Sequence, residues 1–304
     1  MCPITSYCQN GDIKGTCNSG HLCLSGQGVP NPLVDFGVPP DYVNIGGGLC
    51  PVGHYCPSAA TAPIPCPNGT FRAYSGAGTA SDCGPCSVGF VCTPGNPVPR
   101  PCTVGFFCPG SSLELPCKPG SYNAFVARPD ETSCIGCPAG YECRDSAIGD
   151  LTAYACPRGR FCPFGTHNAT ACPAGSYRNF TGANAITACT TCTGGYQCPD
   201  LGMLLPLPCP TKTYCPPGAT NTTDCPAGYY CLPLTPAPLA CPVSFYCLDA
   251  VDTPLLCPDY RYCPGAARVP LACPRGTRSL FAAASNRTRG LYADSCETCP
   301  AGSY

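Results

Sequence analysis

CPTKTYCPPGATNTTDCPAGYYCLPLTPAPLACPVSFYCLDAVDTPLLCPDYRYCPGAARVPLAC, residues 209–273, decides the fold. Cysteines stand at 209, 225, 241, 257 and 273, sixteen residues apart, and a second series at 215, 231, 247 and 263 keeps the same step. Each unit reads C-x5-C followed by nine residues. Self-similarity at a short fixed period marks an array of small units that touch mainly their neighbours, and it predicts an elongated rod.

The composition agrees. Of 304 residues, 33 are Cys, 40 Pro and 35 Gly, with no Trp. Such a chain buries too little apolar surface to hold itself together and reads as a disulfide scaffold. In a loop-entropy estimate a bridge closing C-x5-C contributes about 2.4 kcal/mol and one closing C-x16-C about 3.2. The implied compartment is oxidising: extracellular, secreted or cell-surface. Charged residues make up 11% and the net charge is −1, which argues against nucleic acid and anionic lipid as partners. With so few charges, solubility falls to glycan or to a polymeric neighbour. The most apolar run, LGMLLPLP (201–208), is too short to span a bilayer directly. No secretory signal precedes Cys2, so the expectation is a processed chain or a piece of a longer one.

Taken in order, residues 1–49 hold two short units, CPITSYC (2–8) and CNSGHLC (17–23), and a cysteine-free arm over 24–49. The arm contains two strand-like segments, PLVDFGV and DYVNI. It reads as a surface loop or as an arm docking on a neighbouring subunit, with Phe36 and Tyr42 as candidate interface anchors. Residues 50–116 hold short, long and short units, 117–171 a long unit plus short ones, and 172–272 a long unit plus five short ones. Residues 273–304 hold a long unit and the start of another. Three long units, such as CPNGTFRAYSGAGTASDC (66–83), close a loop of sixteen residues and end in C-x2-C, and a fourth, 273–296, carries six extra residues.

Units repeatedly open with C-P-x-G, which predicts a β-turn with Pro second and Gly fourth that brings its flanking strands together. An aromatic residue stands one or two places before most closing cysteines of short units, as at Tyr55, Phe107, Tyr230 and Tyr246, and aliphatic residues often precede the next opening one. These predict a thin seam beside the disulfides. Linkers such as TPGNPVPRP (93–101) read as extended. No helical period is sustained, and the longest candidate is SLFAAASNRTR (279–289). The fold class is therefore small disulfide-rich tandem repeats: short β-hairpins, turns and Pro-rich linkers, little helix and no large core.

Parity constrains the cysteines. Pairing them consecutively gives Cys2–Cys8, Cys17–Cys23, Cys50–Cys56, Cys66–Cys83, Cys86–Cys92, Cys102–Cys108, Cys117–Cys134 and Cys137–Cys143. It continues with Cys156–Cys162, Cys172–Cys189, Cys192–Cys198, Cys209–Cys215, Cys225–Cys231, Cys241–Cys247, Cys257–Cys263 and Cys273–Cys296. A crossed arrangement, such as Cys192 to Cys209 with Cys198 to Cys215, competes. Cys299 is left over and opens CPAGSY (299–304), a copy of residues 172–177. Its partner is expected beyond residue 304 or on another molecule.

Sites of chemistry are few. Four C-x2-C pairs invite a zinc reading, but each is embedded in repeat spacing and the chain has only three histidines. No catalytic, calcium or phosphate-binding motif is present, so no enzyme activity, metal or cofactor is expected. Five N-glycosylation sequons stand out, at Asn68, Asn168, Asn179, Asn221 and Asn286. Thr and Ser of the Pro-rich linkers offer further, O-linked attachment.

The C-P-x-G-[ST]-[YF] opening with about sixteen residues to C-x2-C resembles the ephrin-receptor-like cysteine-rich repeat, related in style to tumour-necrosis-factor-receptor modules. The resemblance covers roughly residues 50–304 and is most specific at 66–86, 117–137 and 172–192. It implies an extracellular spacer, adhesive or fibre-forming role, as in large surface and appendage proteins, and brings no catalytic residues. The expectation is a structural extracellular glycoprotein polymerising with itself, end to end, into a filament. The alternative is the stalk or ectodomain of a surface receptor or adhesin that binds a protein ligand.

Overall fold

The computed structural model describes residues 3–24, 30, 47–258, 261–279, 296–300 and 302. Among these there is no α-helix; regular structure consists of antiparallel two-stranded hairpins, most with two residues per strand, and of short 3-10 turns. The chain is made of small disulfide-rich tandem units. It divides into two compact bodies. The first comprises Met1–Pro138, Glu142–Tyr154 and Phe164–Asn168; the second comprises Ala139–Tyr141, Ala155–Pro163 and Ala169–Tyr304.

The unit opening at Cys50 shows how the sequence folds locally. The His54 N–H donates to the Pro51 carbonyl (3.3 Å), so Pro is first in the turn and Gly53, at φ +75°, is third. This corrects the expected register. A positive φ at the third position is the requirement of a type II turn, which glycine meets without steric cost. Among the described residues three units lack that glycine, and there Thr5 (φ 76°), Lys212 (φ 69°) and Ser244 (φ 74°) take the same conformation.

The turn does not pair the strands on either side of it, a second correction. His54–Tyr55 pairs instead with Ile64–Pro65, beyond the closing cysteine and its linker, and the Cys66 N–H donates to the Gly53 carbonyl (2.9 Å). Each hairpin thus reaches from one unit to the threshold of the next. Long units build the same hairpin with the excursion moved inside the disulfide. Thr70–Phe71 pairs with Gly84–Pro85, Ser121–Tyr122 with Ile135–Gly136, and Ser176–Tyr177 with Thr190–Thr191. The two residues within C-x2-C are therefore the return strand. A 3-10 turn, Ala80–Asp82, Glu131–Ser133 or Ile186–Ala188, leads into each closing cysteine.

Successive units interlock through three recurring backbone hydrogen bonds. In the first body these are Gly53 N–H to Arg72 O (2.8 Å), Cys56 N–H to Ala77 O (2.9 Å) and Gly76 N–H to Cys50 O (2.7 Å). In the second body Gly228 N–H to Cys247 O (2.8 Å), Cys231 N–H to Val251 O (3.0 Å) and Ala250 N–H to Cys225 O (2.8 Å) repeat them. Contact goes further than the adjacent unit, unlike the expectation. A Cβ on Gly20 would lie 2.6 Å from the Gly76 carbonyl oxygen, and one on Gly175 would lie 2.7 Å from that of Gly218. In both cases the carbonyl belongs to the second unit along. Bare glycine backbone allows this approach, which the cysteine pattern does not announce.

The core is correspondingly thin. Small clusters join disulfides to single aliphatic residues, such as Leu22, Val91, Ala169 and Ala219. Half-buried aromatics face aliphatic residues across the hairpins: Tyr55 opposite Ile64, Phe107 opposite Leu115, Tyr230 opposite Leu239 and Tyr246 opposite Leu255. Those aliphatic partners remain 38–41% exposed. This is the seam read from the sequence, with each aromatic ring covering one cross-strand neighbour.

Candidate functional site

The cysteines come first, because they fix the surface that everything else decorates. The structure joins consecutive cysteines from Cys17–Cys23 and Cys50–Cys56 through Cys273–Cys296, with none of the crossed pairs. Cys192 is bonded to Cys198 and Cys209 to Cys215. Cys8 is also disulfide-bonded; Cys2 lies outside the described residues. Cys299 is the free cysteine among the described residues and is half-buried.

Sulfur and carboxylate atoms of Cys102, Cys108 and Glu114 lie within 4.8 Å of one another. That grouping is not a metal-ligand set, because the two sulfurs are bonded to each other and a ligand must be a thiolate. Glu114 is occupied elsewhere. Its carboxylate accepts from the Thr103 N–H (3.1 Å) and hydroxyl (3.0 Å) and pairs with Arg100 (2.8 Å). His21 and His54 each turn Nδ1 toward the backbone carbonyl two residues back.

Of the sequon asparagines, Asn68, Asn168 and Asn221 are exposed and Asn179 is half-buried. Asn68 occupies the second position of the Pro67–Thr70 turn, where the Thr70 hydroxyl donates to the Pro67 carbonyl (2.7 Å). Asn286, and the arm anchors Phe36 and Tyr42, lie outside the described residues. In the Pro-rich linker 232–240, Thr235 is 5% exposed and its hydroxyl donates to the Leu232 carbonyl (2.6 Å). That hydroxyl is therefore not available for O-linked sugar in the folded chain.

The sequence reading missed the residues that stand in for cysteine in the long units. Six positions after the opening cysteine, where short units close their disulfide, long units carry Arg72, Asn123 or Arg178. Their carbonyls accept the same inter-unit hydrogen bonds, from Gly53, Gly105 and Gly159. Arg72 donates through Nε to the Tyr74 carbonyl (3.2 Å) and through Nη1 to the Asp82 carbonyl (3.1 Å). Arg178 repeats this with Phe180 (3.3 Å) and Ala188 (3.1 Å). Asn123 is fully buried; its amide donates to the Phe106 carbonyl (2.8 Å) and accepts from the Phe125 N–H (3.1 Å). Spacing from the opening cysteine would have found all three.

Three carboxylates are held below their ordinary range, Asp82 and Asp130 in long-unit loops and Asp150 in the linker between Cys143 and Cys156. Asp82 accepts from the Thr79 and Gly78 backbone N–H groups, the main cause of its lowered pKa. Asp130 and Asp150 are lowered chiefly by the hydroxyls of Thr132 and Thr152. Hydrogen bonds to the charged form favour it. These aspartates cap local turns; they do not converge on a common point.

No family model matches the chain, and no curated protein is significantly similar to it.

Proposed function

We propose that this chain is a structural protein of the extracellular space, a glycoprotein subunit of a filament or surface appendage built from disulfide-stapled repeats. The observation that carries the reading is the interlocking of units. Within each body a unit docks on the next through backbone hydrogen bonds that ask little of side-chain identity, and its bare glycine backbone closely approaches the second unit along. Surfaces of that kind accept another unit of the same sort, and a head-to-tail contact that closes no ring propagates as a fibre.

Other features support it. Extensive disulfide bonding belongs to an extracellular or secreted protein, and no helix among the described residues is long and apolar enough to cross a membrane. Exposed sequons at Asn68, Asn168 and Asn221 offer N-glycosylation sites to a surface with few charges. We assign the long units to the ephrin-receptor-like type on their opening motif, on the C-x2-C ending and on the bridges Cys66–Cys83, Cys117–Cys134 and Cys172–Cys189. That type brings no catalytic residues.

Electron microscopy of native, non-reduced material tests the proposal. Fibres with a regular axial repeat and a coat outside the protein density are expected. Isolated particles, or particles tethered to a membrane, would overturn it in favour of a receptor or adhesin stalk. Enzymatic removal of N-glycans is expected to lower the mass of the secreted chain.

A further inference from the structure

Three aromatic rings stand apart from the seam. Tyr74, Phe125 and Phe180, one in each of the long units opening at Cys66, Cys117 and Cys172, are 74%, 55% and 70% exposed. Each has an arginine beneath it. The guanidinium carbon lies 6.0 Å from the Tyr74 centroid for Arg72, 4.7 Å from Phe125 for Arg128 and 5.8 Å from Phe180 for Arg178. The pairing is reached by two routes. Arg72 and Arg178 precede their rings by two residues, whereas in the middle unit Asn123 holds that position and Arg128, three residues after the ring, supplies the cation. Arg72 and Arg178 are themselves fixed by backbone carbonyls. A ring backed in this way is held in place on one side and open on the other.

We propose that these rings are carbohydrate platforms, each receiving the apolar C–H face of a pyranose. The electron-rich face of an aromatic ring attracts the weakly positive C–H groups of such a sugar, and a flat ring presents a surface of matching size. The surroundings favour a sugar over a docked protein. The Tyr74 and Phe180 rings are flanked by Ala73 and Ser75 and by Asn179 and Thr181, which do not extend them into the contiguous apolar patch that marks a protein interface; only Phe125 has a large exposed apolar neighbour, Val126. The sequon at Asn179 also places a candidate sugar attachment point beside the Phe180 ring. A pyranose on the platforms has two sources, an N-glycan of this chain or its copies and an external polysaccharide. The proposal stands whether or not the chain forms filaments.

The test uses the full chain secreted with its disulfides formed, and the probes are cellohexaose and mannohexaose. Binding of at least one probe is expected, and Tyr74→Ser, Phe125→Ser and Phe180→Ser combined should weaken it at least tenfold. Because the rings are exposed, the triple variant should keep the same disulfide mass and thermal unfolding midpoint; Arg72→Gln with Arg178→Gln should weaken binding less than ring removal. Enzymatic N-deglycosylation separates the sources. If the chain's own glycans compete for the platforms, probe binding tightens on their removal; if the platforms serve external polysaccharide alone, it is unchanged. Absence of binding to both probes before and after deglycosylation would overturn the proposal, as would undiminished binding by the folded triple variant.

Discussion

At the sixth residue after the opening cysteine, the chain solves one problem in two ways. Short units place the closing cysteine there; long units place Arg72, Asn123 or Arg178, whose side chains bridge backbone groups by hydrogen bonds. Asn123→Ala would take the fully buried amide away from the part-buried Phe106 carbonyl and Phe125 N–H, at a cost of about 1 kcal/mol. Hydrogen exchange at the Phe125 amide, faster in the variant than in the parent, measures it. The turn position makes a complementary case. Lys212 and Ser244 hold positive φ without being glycine, and their inter-unit hydrogen bonds are 3.1 Å, against 2.8 Å at Gly195 and Gly228. The left-handed conformation costs a non-glycine residue about 1–2 kcal/mol, against about 0.5–1 of extra chain entropy lost by glycine. Ser244→Gly should therefore stabilise by about 0.5–1 kcal/mol in a denaturant titration under oxidising conditions. Gly175→Ala, with its Cβ directed at the Gly218 carbonyl, should destabilise.

At the scale of the element, a two-residue ladder has no independent stability in water, so each hairpin depends on its bridge and on the units it touches. Removing one bridge by Cys225→Ser with Cys231→Ser should cost about 2.4 kcal/mol. The loosening should be local, with proteolytic nicking expected within the linker 232–240. The long-unit loops should respond to acid as well. Asp82 and Asp130 have folded-state pKa values below the ordinary 3.8, so their contribution is complete above that value and is lost as pH falls through the lowered ones. The 3-10 turns whose N-terminal N–H groups they cap should fray below about pH 4, visible as a rise in amide exchange at Thr132 and Ser133. Much of this architecture is legible in sequence, because cysteine parity and the sixteen-residue period are covalent and periodic signals. The hairpin register was not. C-P-x-G offers two overlapping four-residue windows, and the return strand of a short unit lies beyond a linker with no pairing signal of its own. The contact with the second unit along is made by carbonyls such as those of Gly76 and Gly218, and backbone atoms leave no residue signature. The Arg72 and Arg178 bridges were hidden for a different reason: an arginine in a loop reads as a solvated charge until its offset from the opening cysteine is counted.

For the molecule as a whole, the repeat makes length a quantity that can be changed without changing the fold. Residues 225–240 form one complete period within the second body, opened by Cys225 and followed in the same register by Cys241. Deleting those sixteen residues joins the hairpin ending at Thr223–Asp224 to a unit that again begins with Cys-Pro. The interlocking donors and acceptors at Lys212 and Ser244 are backbone groups, so the new neighbours should dock as the old ones did. The shortened chain is expected to secrete with its remaining disulfides formed, whereas deletion of residues 226–233, which removes Cys231 alone, would strand Cys225 and disrupt pairing. Under the filament proposal its fibres should persist with an axial repeat shortened by a constant amount, because length is added unit by unit. Loss of secretion on the sixteen-residue deletion would show instead that the units are specialised for their own neighbours, and the backbone-only account of the interlock would then be wrong.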